Sequence, residues 1–124
     1  MENKSYKRFE DMEVWQDAKD IAIEIYKVTS LFDPRKDFSL IDQLRRSALS
    51  ISSNIAEGYE RSSKKELRQY LNIAKGSAGE LRSQLLIAKE IGKVNDQSSK
   101  DLICKCENVS KQLKGFMRFL EKKA

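Results

Sequence analysis

The run Ser50-Ile-Ser-Ser-Asn-Ile-Ala-Glu-Gly58 decides how the middle of this 124-residue chain is read. It holds two large apolar residues, Ile51 and Ile55, four positions apart; small polar residues lie between them and a glycine follows. Taken alone, it could be a phosphate-cradling loop, a nucleophile site or a helix face thinned for close packing. Its flanks favour a helix. Leu40, Leu44, Ala48, Ile51, Ile55 and Tyr59 recur at steps of three and four, the spacing of one helix face. Ser47, Ser50, Asn54 and Glu57 then share a second face that is neither core nor ordinary charged surface. Gly76-Ser77-Ala78-Gly79 repeats the theme further on. A glycine inside a helix costs up to about 1 kcal/mol relative to alanine, which is tolerable where something packs closely. Ser50, Asn54, Glu57, Gly76 and Ser77 are therefore expected to form a structural or interface seam, within the chain or between chains. A polar ligand pocket is the other option. Asn54 and Glu57 are expected to hydrogen-bond across helices, with Arg45 or Arg61 as partners.

Working outward, Val14, Ala18, Ile21, Ile25, Val28 and Phe32 place a helix over 11–32, widened by Trp15, Ala22, Tyr26 and Thr29. Asp33-Pro34 ends it, because proline cannot continue the hydrogen-bond ladder. The second helix starts at Ser39, a fitting N-cap, and spans 39–59. Ser63-Lys-Lys-Glu66 has capping-box spacing and opens a third helix over 63–91. Its face is Leu67, Tyr70/Leu71, Ala74, Ala78/Leu81, Leu85 and Ala88, with Gly92 placed to stop it. Leu102, Cys106, Val109, Leu113, Phe116/Met117 and Leu120 give a fourth over 96–122. Four amphipathic helices with short links predict an all-α, antiparallel up-down-up-down four-helix bundle. It forms a single domain over 9–124 after a flexible segment 1–8. One proline and five glycines leave little material for the turns of an all-β fold.

Composition narrows the function classes. No apolar run approaches the roughly 18 residues of a membrane span, and the N-terminus has charges but no apolar stretch of a secretory signal. A cytoplasmic location without membrane contact is expected. Histidine is absent, which removes Ser-His-Asp and Cys-His catalysis and the commonest general base. Cys104 and Cys106 point roughly 200° apart on a helix, so they cannot clamp one metal or pair with each other; buried reduced thiols are expected. No metal, cofactor or catalytic residue is expected, and Gly76-Ser77-Ala78-Gly79 lacks the strand and lysine of a phosphate-binding loop.

The formal net charge is +5, and it belongs to the second half. Residues 1–61 carry two more acidic than basic side chains, whereas residues 62–124 carry seven more basic than acidic ones. Arg61, Arg68, Lys75, Arg82 and Lys89 follow one another at seven-residue steps, a spacing that drifts only about 20° per step around a helix. Lys100, Lys111, Lys114, Arg118 and Lys122 share a sector of roughly 80° on the fourth helix, opposite Leu102, Val109, Leu113 and Leu120. Ordinary solvation accounts for many such stripes. The scarcity of acids at the same positions favours polyanion binding instead. Arg68, Lys75, Arg82 and Lys89 would supply one row of phosphate contacts, and Lys111, Lys114 and Arg118 another. Arg45 and Arg46 are weaker candidates, one of them expected to pair with an acid. Trp15, Tyr26 and Phe32 are committed to the core or its margin, leaving Tyr6 and Phe9 free. Base-specific readout has no support, so backbone or shape recognition is the form to expect.

Phe9-Glu-Asp-Met-Glu-Val-Trp-Gln-Asp-Ala18, Gln43-Leu-Arg-Arg-Ser-Ala48 with Ser50–Gly58, Arg61, and Ile73-Ala-Lys-Gly-Ser77 with Glu80-Leu81 occur in this order. This series resembles the four-helix-bundle proteins encoded in intervening sequences of 23S rRNA genes, the S23 type, from Phe9 to about Leu120. Those proteins are similar in turn to the accessory variability protein of diversity-generating retroelements, a five-fold barrel that works with a reverse transcriptase and nucleic acid. The resemblance implies a ring-like homopentamer and strengthens the case for RNA or DNA contact. The family usually has proline where this chain has Ser52, which should make helix two more continuous here, and commonly an acid where Arg82 stands. The function expected is a non-catalytic, oligomeric nucleic-acid-binding bundle. The alternative is a protein-interaction scaffold or adaptor for a polymerase or RNA-processing partner, with Leu86 in the contact. An enzyme holding a polar ligand at Asn54 and Glu57 is the third and weakest possibility.

Overall fold

Three of the four α-helices open on a residue whose side chain accepts from a free backbone N–H of the first turn: Asp33, Ser63 and Asn95. The computed structural model describes residues 8–123, Lys123 in backbone only. Apart from Arg8, the segment expected to be flexible lies outside the described residues, as does Tyr6. A short 3-10 turn, Phe9–Asp11, leads into α1 (Glu13–Thr29), followed by α2 (Pro34–Glu60), α3 (Lys64–Glu90) and α4 (Asp96–Lys123). The described residues contain no strand. α2 packs on α3, α3 on α4, and α1 on both α2 and α4.

Two boundaries follow the sequence signals closely. Ser63 caps α3, its Oγ accepting the Glu66 amide N–H at 3.1 Å, and its hydroxyl donates to Glu66 Oε1 at 3.2 Å. Gly92 ends α3 with φ +80, the left-handed conformation that glycine adopts without steric penalty. There its amide reaches Lys89 O at 3.0 Å while the Lys93 amide reaches Ala88 O at 2.9 Å, closing the last turn as a Schellman motif.

The start of α2 differs from expectation. Ser39 lies inside the helix and caps nothing; the cap is Asp33, whose Oδ1 accepts from the Arg35 amide at 3.0 Å, with Pro34 in the first turn. Proline lacks only an N–H that would be free there anyway, so the dipeptide that stops one helix starts the next. The backbone leaves helical angles at Asp37 (φ −114, ψ 23), and a 3.2 Å ion pair to Lys93 ties this kink to the α3–α4 link. Beyond Asp37, α2 continues through Ser52, whose Oγ donates back to Leu49 O at 3.2 Å. α1 is shorter than expected, ending at Thr29, and Phe32 reaches the core from the turn that follows.

The core is the set of periodic positions. Ile21, Ile25, Leu44, Ile51, Ile55, Leu71, Leu81, Leu85, Leu102 and Leu113 are all fully buried, each contributing about 1.5–3 kcal/mol of transfer free energy. Met12, the residue before α1, is buried with them. Phe9 is not free, as the sequence suggested. It is half-buried against the core with its ring 5.3 Å from Trp15, edge to face.

Candidate nucleic-acid interface

α3 has two differently built flanks, and the residues singled out from the sequence divide between them. On the α2 side lies the small-residue seam. Ser50 Oγ and Ser77 Oγ share a 2.8 Å hydrogen bond between α2 and α3. Asn54 Nδ2 donates to Ser50 O at 2.8 Å and to Ser50 Oγ at 3.0 Å. Ser47, Ser77 and Gly58 are buried. A Cβ on Gly58 would stand 2.7 Å from Tyr70 Cβ and 3.2 Å from Leu67 O. This glycine is what lets the two helices approach.

Several expectations change here. Asn54 bonds back within its own helix rather than across to α3. Glu57 pairs with Arg61 one turn later, at 2.9 Å, because Arg61 caps α2 and its guanidinium folds over the helix end. Arg61 also donates to Tyr70 Oη at 2.7 Å and stacks on that ring at 5.0 Å. Tyr70 and then Glu57 hold the Arg61 guanidinium above its ordinary pKa. Gly76 does not mark a close approach within the chain. It is exposed, and a Cβ there would meet nothing within 4 Å.

On the α4 side lies an open groove, and the two basic rows converge along it. Three shallow hollows line up between α3 and α4. The first, about 440 Å³, includes Lys89, Lys100 and Glu107. The second, about 400 Å³, includes Lys75, Arg82, Lys111 and Glu107, with Gly79 in its wall. The third, about 280 Å³, includes Lys75, Lys114, Arg118 and Glu121. Glu107 is common to the first two hollows and Lys75 to the last two. Gly79 faces open space, since a Cβ there would also meet nothing within 4 Å, so the helix backbone itself is reachable at this point.

The rows are less pure than their own helices suggest. Arg82 Nη1 reaches Glu107 Oε2 at 3.0 Å, and Arg68 Nη1 reaches Glu121 Oε2 at 3.7 Å. Both acids come from α4, across the groove, where the pattern along α3 cannot reveal them. Lys75, Lys89, Lys111, Lys114 and Arg118 have no acidic partner within 4 Å among the described residues. Below the groove, Cys106 is buried and Cys104 exposed, so only one of the two thiols matches the expected burial. Burial pushes the Cys106 thiol up to about 12, partly countered by Arg82.

One cation behaves otherwise than its sequence position suggests. Among the described residues Arg45 pairs with no acid: its Nε donates to Thr29 Oγ1 at 2.9 Å and its guanidinium stacks on Tyr26 at 4.3 Å. Both partners sit on α1. Only the packing angle of α1 on α2 decides whether Arg45 or Arg46 meets them, and no sequence signal distinguishes the two.

The architecture has known counterparts. The profile of the 23S rRNA-intervening sequence protein family matches residues 10–115. No curated protein matches the chain significantly. Among solved structures, the chain is similar to a protein of unknown function from the S23 ribosomal protein family of Bacteroides thetaiotaomicron VPI-5482. The TM-score is 0.78 at 23% identity, covering 84% of this chain and 97% of that one. That likeness establishes the shared fold. With the four helices, their order and a family match over most of the length, the chain belongs to the 23S rRNA-intervening sequence protein family.

Proposed function

We propose that the chain is a non-catalytic, oligomeric, cytoplasmic four-helix bundle that holds RNA or DNA by the phosphate backbone along the α3–α4 groove. The observation carrying this reading is the convergence of Lys75, Lys111, Lys114 and Arg118, without acid partners among the described residues, on one groove. Successive members of the α3 row stand about 10.5 Å apart along the helix axis, so the row can follow a backbone over two or more phosphates. A backbone contact of this kind carries no base information.

Consecutive helices are joined by links of three to five residues, which supports the antiparallel up-down-up-down course. The ring-like homopentamer implied by the family resemblance has support in two separate apolar surfaces. Ile23, Tyr26 and Leu49 are exposed beside Trp15 on the α1–α2 side, while Ile73, Ile87 and Ile91 are exposed on α3. Joining unlike surfaces of two copies is the head-to-tail contact that closes rings. A ring would repeat the groove about its axis and sum the phosphate contacts.

The test is a salt titration of nuclease-treated protein with a structured RNA and a duplex DNA, comparing the unmodified chain with the K75Q/K111Q/K114Q variant. The expected result is binding that survives near physiological salt, with the log–log slope reduced by up to about 0.9 for each duplex phosphate that the variant no longer neutralises. Equal slopes for the two proteins would show that the groove is not the site. A second reading, a scaffold for a polymerase or RNA-processing partner, is favoured by the exposure of Leu86, Ile87 and Ile91. Capture of such a partner that persists after nuclease treatment, and is lost in L86E/I91E, would support it.

A further inference from the structure

Arg45 is a half-buried cation whose geometry is set by two groups of another helix, yet whose terminal nitrogens have no partner among the described residues. Thr29 donates its hydroxyl proton to Ile25 O at 2.7 Å, which turns an oxygen lone pair toward Arg45 Nε at 2.9 Å. The Tyr26 ring takes the guanidinium face at 4.3 Å. No ion pair reaches Arg45 or Arg46 among the described residues.

Both arginines line a cavity of about 420 Å³ between the end of α1 and the first half of α2, a size within the usual range for small-molecule sites. Its apolar wall includes Phe38, Ile41 and Leu49. Phe38 is 71% exposed, an unusual position for a phenylalanine with no partner. Asp42, exposed, is the carboxylate on the lining, so the cations outnumber it. A role in joining α1 to α2 would use the Nε–H and the guanidinium face, both already engaged. It leaves the terminal N–H fork unexplained, and that fork is the part of arginine that matches an oxyanion two bonds at a time.

We propose that this cavity binds a small amphiphilic anion, with a carboxylate or phosphate head on the Arg45 fork and a flat or acyl apolar body against Phe38, Ile41 and Leu49. Arg46 adds long-range attraction at the mouth. The site lies on the α1–α2 side and shares no residue with the α3–α4 groove; its Tyr26 and Leu49 border the apolar surface offered above for subunit contact, so the anion would sit at the margin of that surface.

Calorimetric titration of the full-length protein with 1-naphthyl phosphate, 2-naphthoate and the uncharged 2-naphthylmethanol tests it. At least one anion is expected to bind with one site per chain, at least tenfold more tightly than the alcohol. R45Q should weaken that binding tenfold or more, and R45K should restore it only in part, since lysine keeps the charge but loses the fork. The preferred head distinguishes carboxylate from phosphate ligands. Because R45Q also removes the Thr29 contact, the unmodified protein supplies a second readout. The Arg45 Nε–H resonance should shift on titration with the anion and stay fixed with the alcohol. Absence of saturable anion binding, equal affinity for the alcohol, R45Q binding as tightly as the unmodified chain, or an unmoved Nε–H resonance would each overturn the proposal.

Discussion

The α2–α3 seam and the α3–α4 groove flank the same helix, and both begin as stripes of small or charged residues at helical spacing. Their outcomes are opposite. At the seam, Gly58 sits against Tyr70 and Leu67 with no room for a methyl group, and Ser50 bonds Ser77 across the contact. At the groove, Gly79 has nothing above it and the cations around it stand mostly unpaired. The same residue type therefore records closure in one place and openness in the other. What decides between them is the neighbour, since α2 brings Ser50, Ala48 and Gly58 while α4 brings long charged side chains.

The sharpest way to break this comparison is to ask whether the groove is open to its floor. Cys104 is exposed and Cys106 lies buried beneath Arg82 and Glu107. In the native protein at pH 8.5, one thiol per chain should react with a thiol reagent, and the second should react about 10³-fold more slowly, waiting for an opening of the fold. Two fast thiols would mean that the groove continues into the core. The Cys106 thiol, raised by burial to about 12, remains neutral where an unfolded chain's thiol ionises near 8.5. Its contribution to stability is thus fully present below about pH 8.5, and it declines as pH rises toward 12 because the unfolded state releases the proton first.

Alanine at the two glycines separates the flanks directly. Gly58→Ala should destabilise by about 1–3 kcal/mol through overpacking, offset by at most about 1 kcal/mol of helix propensity. Thermal denaturation should show a fall of several degrees. An unchanged midpoint would mean that the helices can separate at no cost and that the seam does not hold them. Ser77→Ala, at the same contact, removes the interhelical hydrogen bond while Ser50 keeps Asn54 as a partner. A decrease of about 0.5–1.5 kcal/mol is expected in denaturant titrations. Gly79→Ala should do the reverse and stabilise the chain by up to about 1 kcal/mol. If it stabilises the fold while weakening nucleic-acid binding, the ligand approaches the helix backbone; if binding is unchanged, side chains alone make the contact.

Much of the fold was legible because burial follows helical period. The positions Val14, Ala18, Ile21 and Ile25, or Leu102, Cys106, Val109 and Leu113, are buried for the reason their spacing announced. Caps were legible where one residue has one meaning, as with Ser63 and Gly92. Asp33-Pro34 was not, since proline both ends a helix and opens one, and the pattern alone pointed only to the first. The candidate site was half visible. The cations could be placed on faces of α3 and α4, but a face is defined relative to its own axis. Whether Glu107 meets Arg82, or Arg45 meets Tyr26, depends on how two axes cross. Gly76 illustrates the same limit: it reads as a contact, and it is exposed.

The smallest expected effect tests the groove's one strong cross-helix pair. Arg82 and Glu107 are 3.0 Å apart with side chains 47% and 49% exposed, so solvent and salt screen the attraction and its net stabilisation should lie between 0 and about 1 kcal/mol. Glu107→Gln should change stability little and raise the net charge of the groove by one. If Arg82 is held back by its acid, freeing it adds a phosphate contact, and the salt slope for duplex DNA should steepen by about 0.9. If the slope instead shallows, Glu107 is what aims Arg82 along the groove, and the pair belongs to the binding surface rather than competing with it. Either change would tie the groove to the ligand through a residue that the basic stripe never contained. An unaltered slope would leave Arg82 outside the interface, reducing the α3 row to Arg68, Lys75 and Lys89.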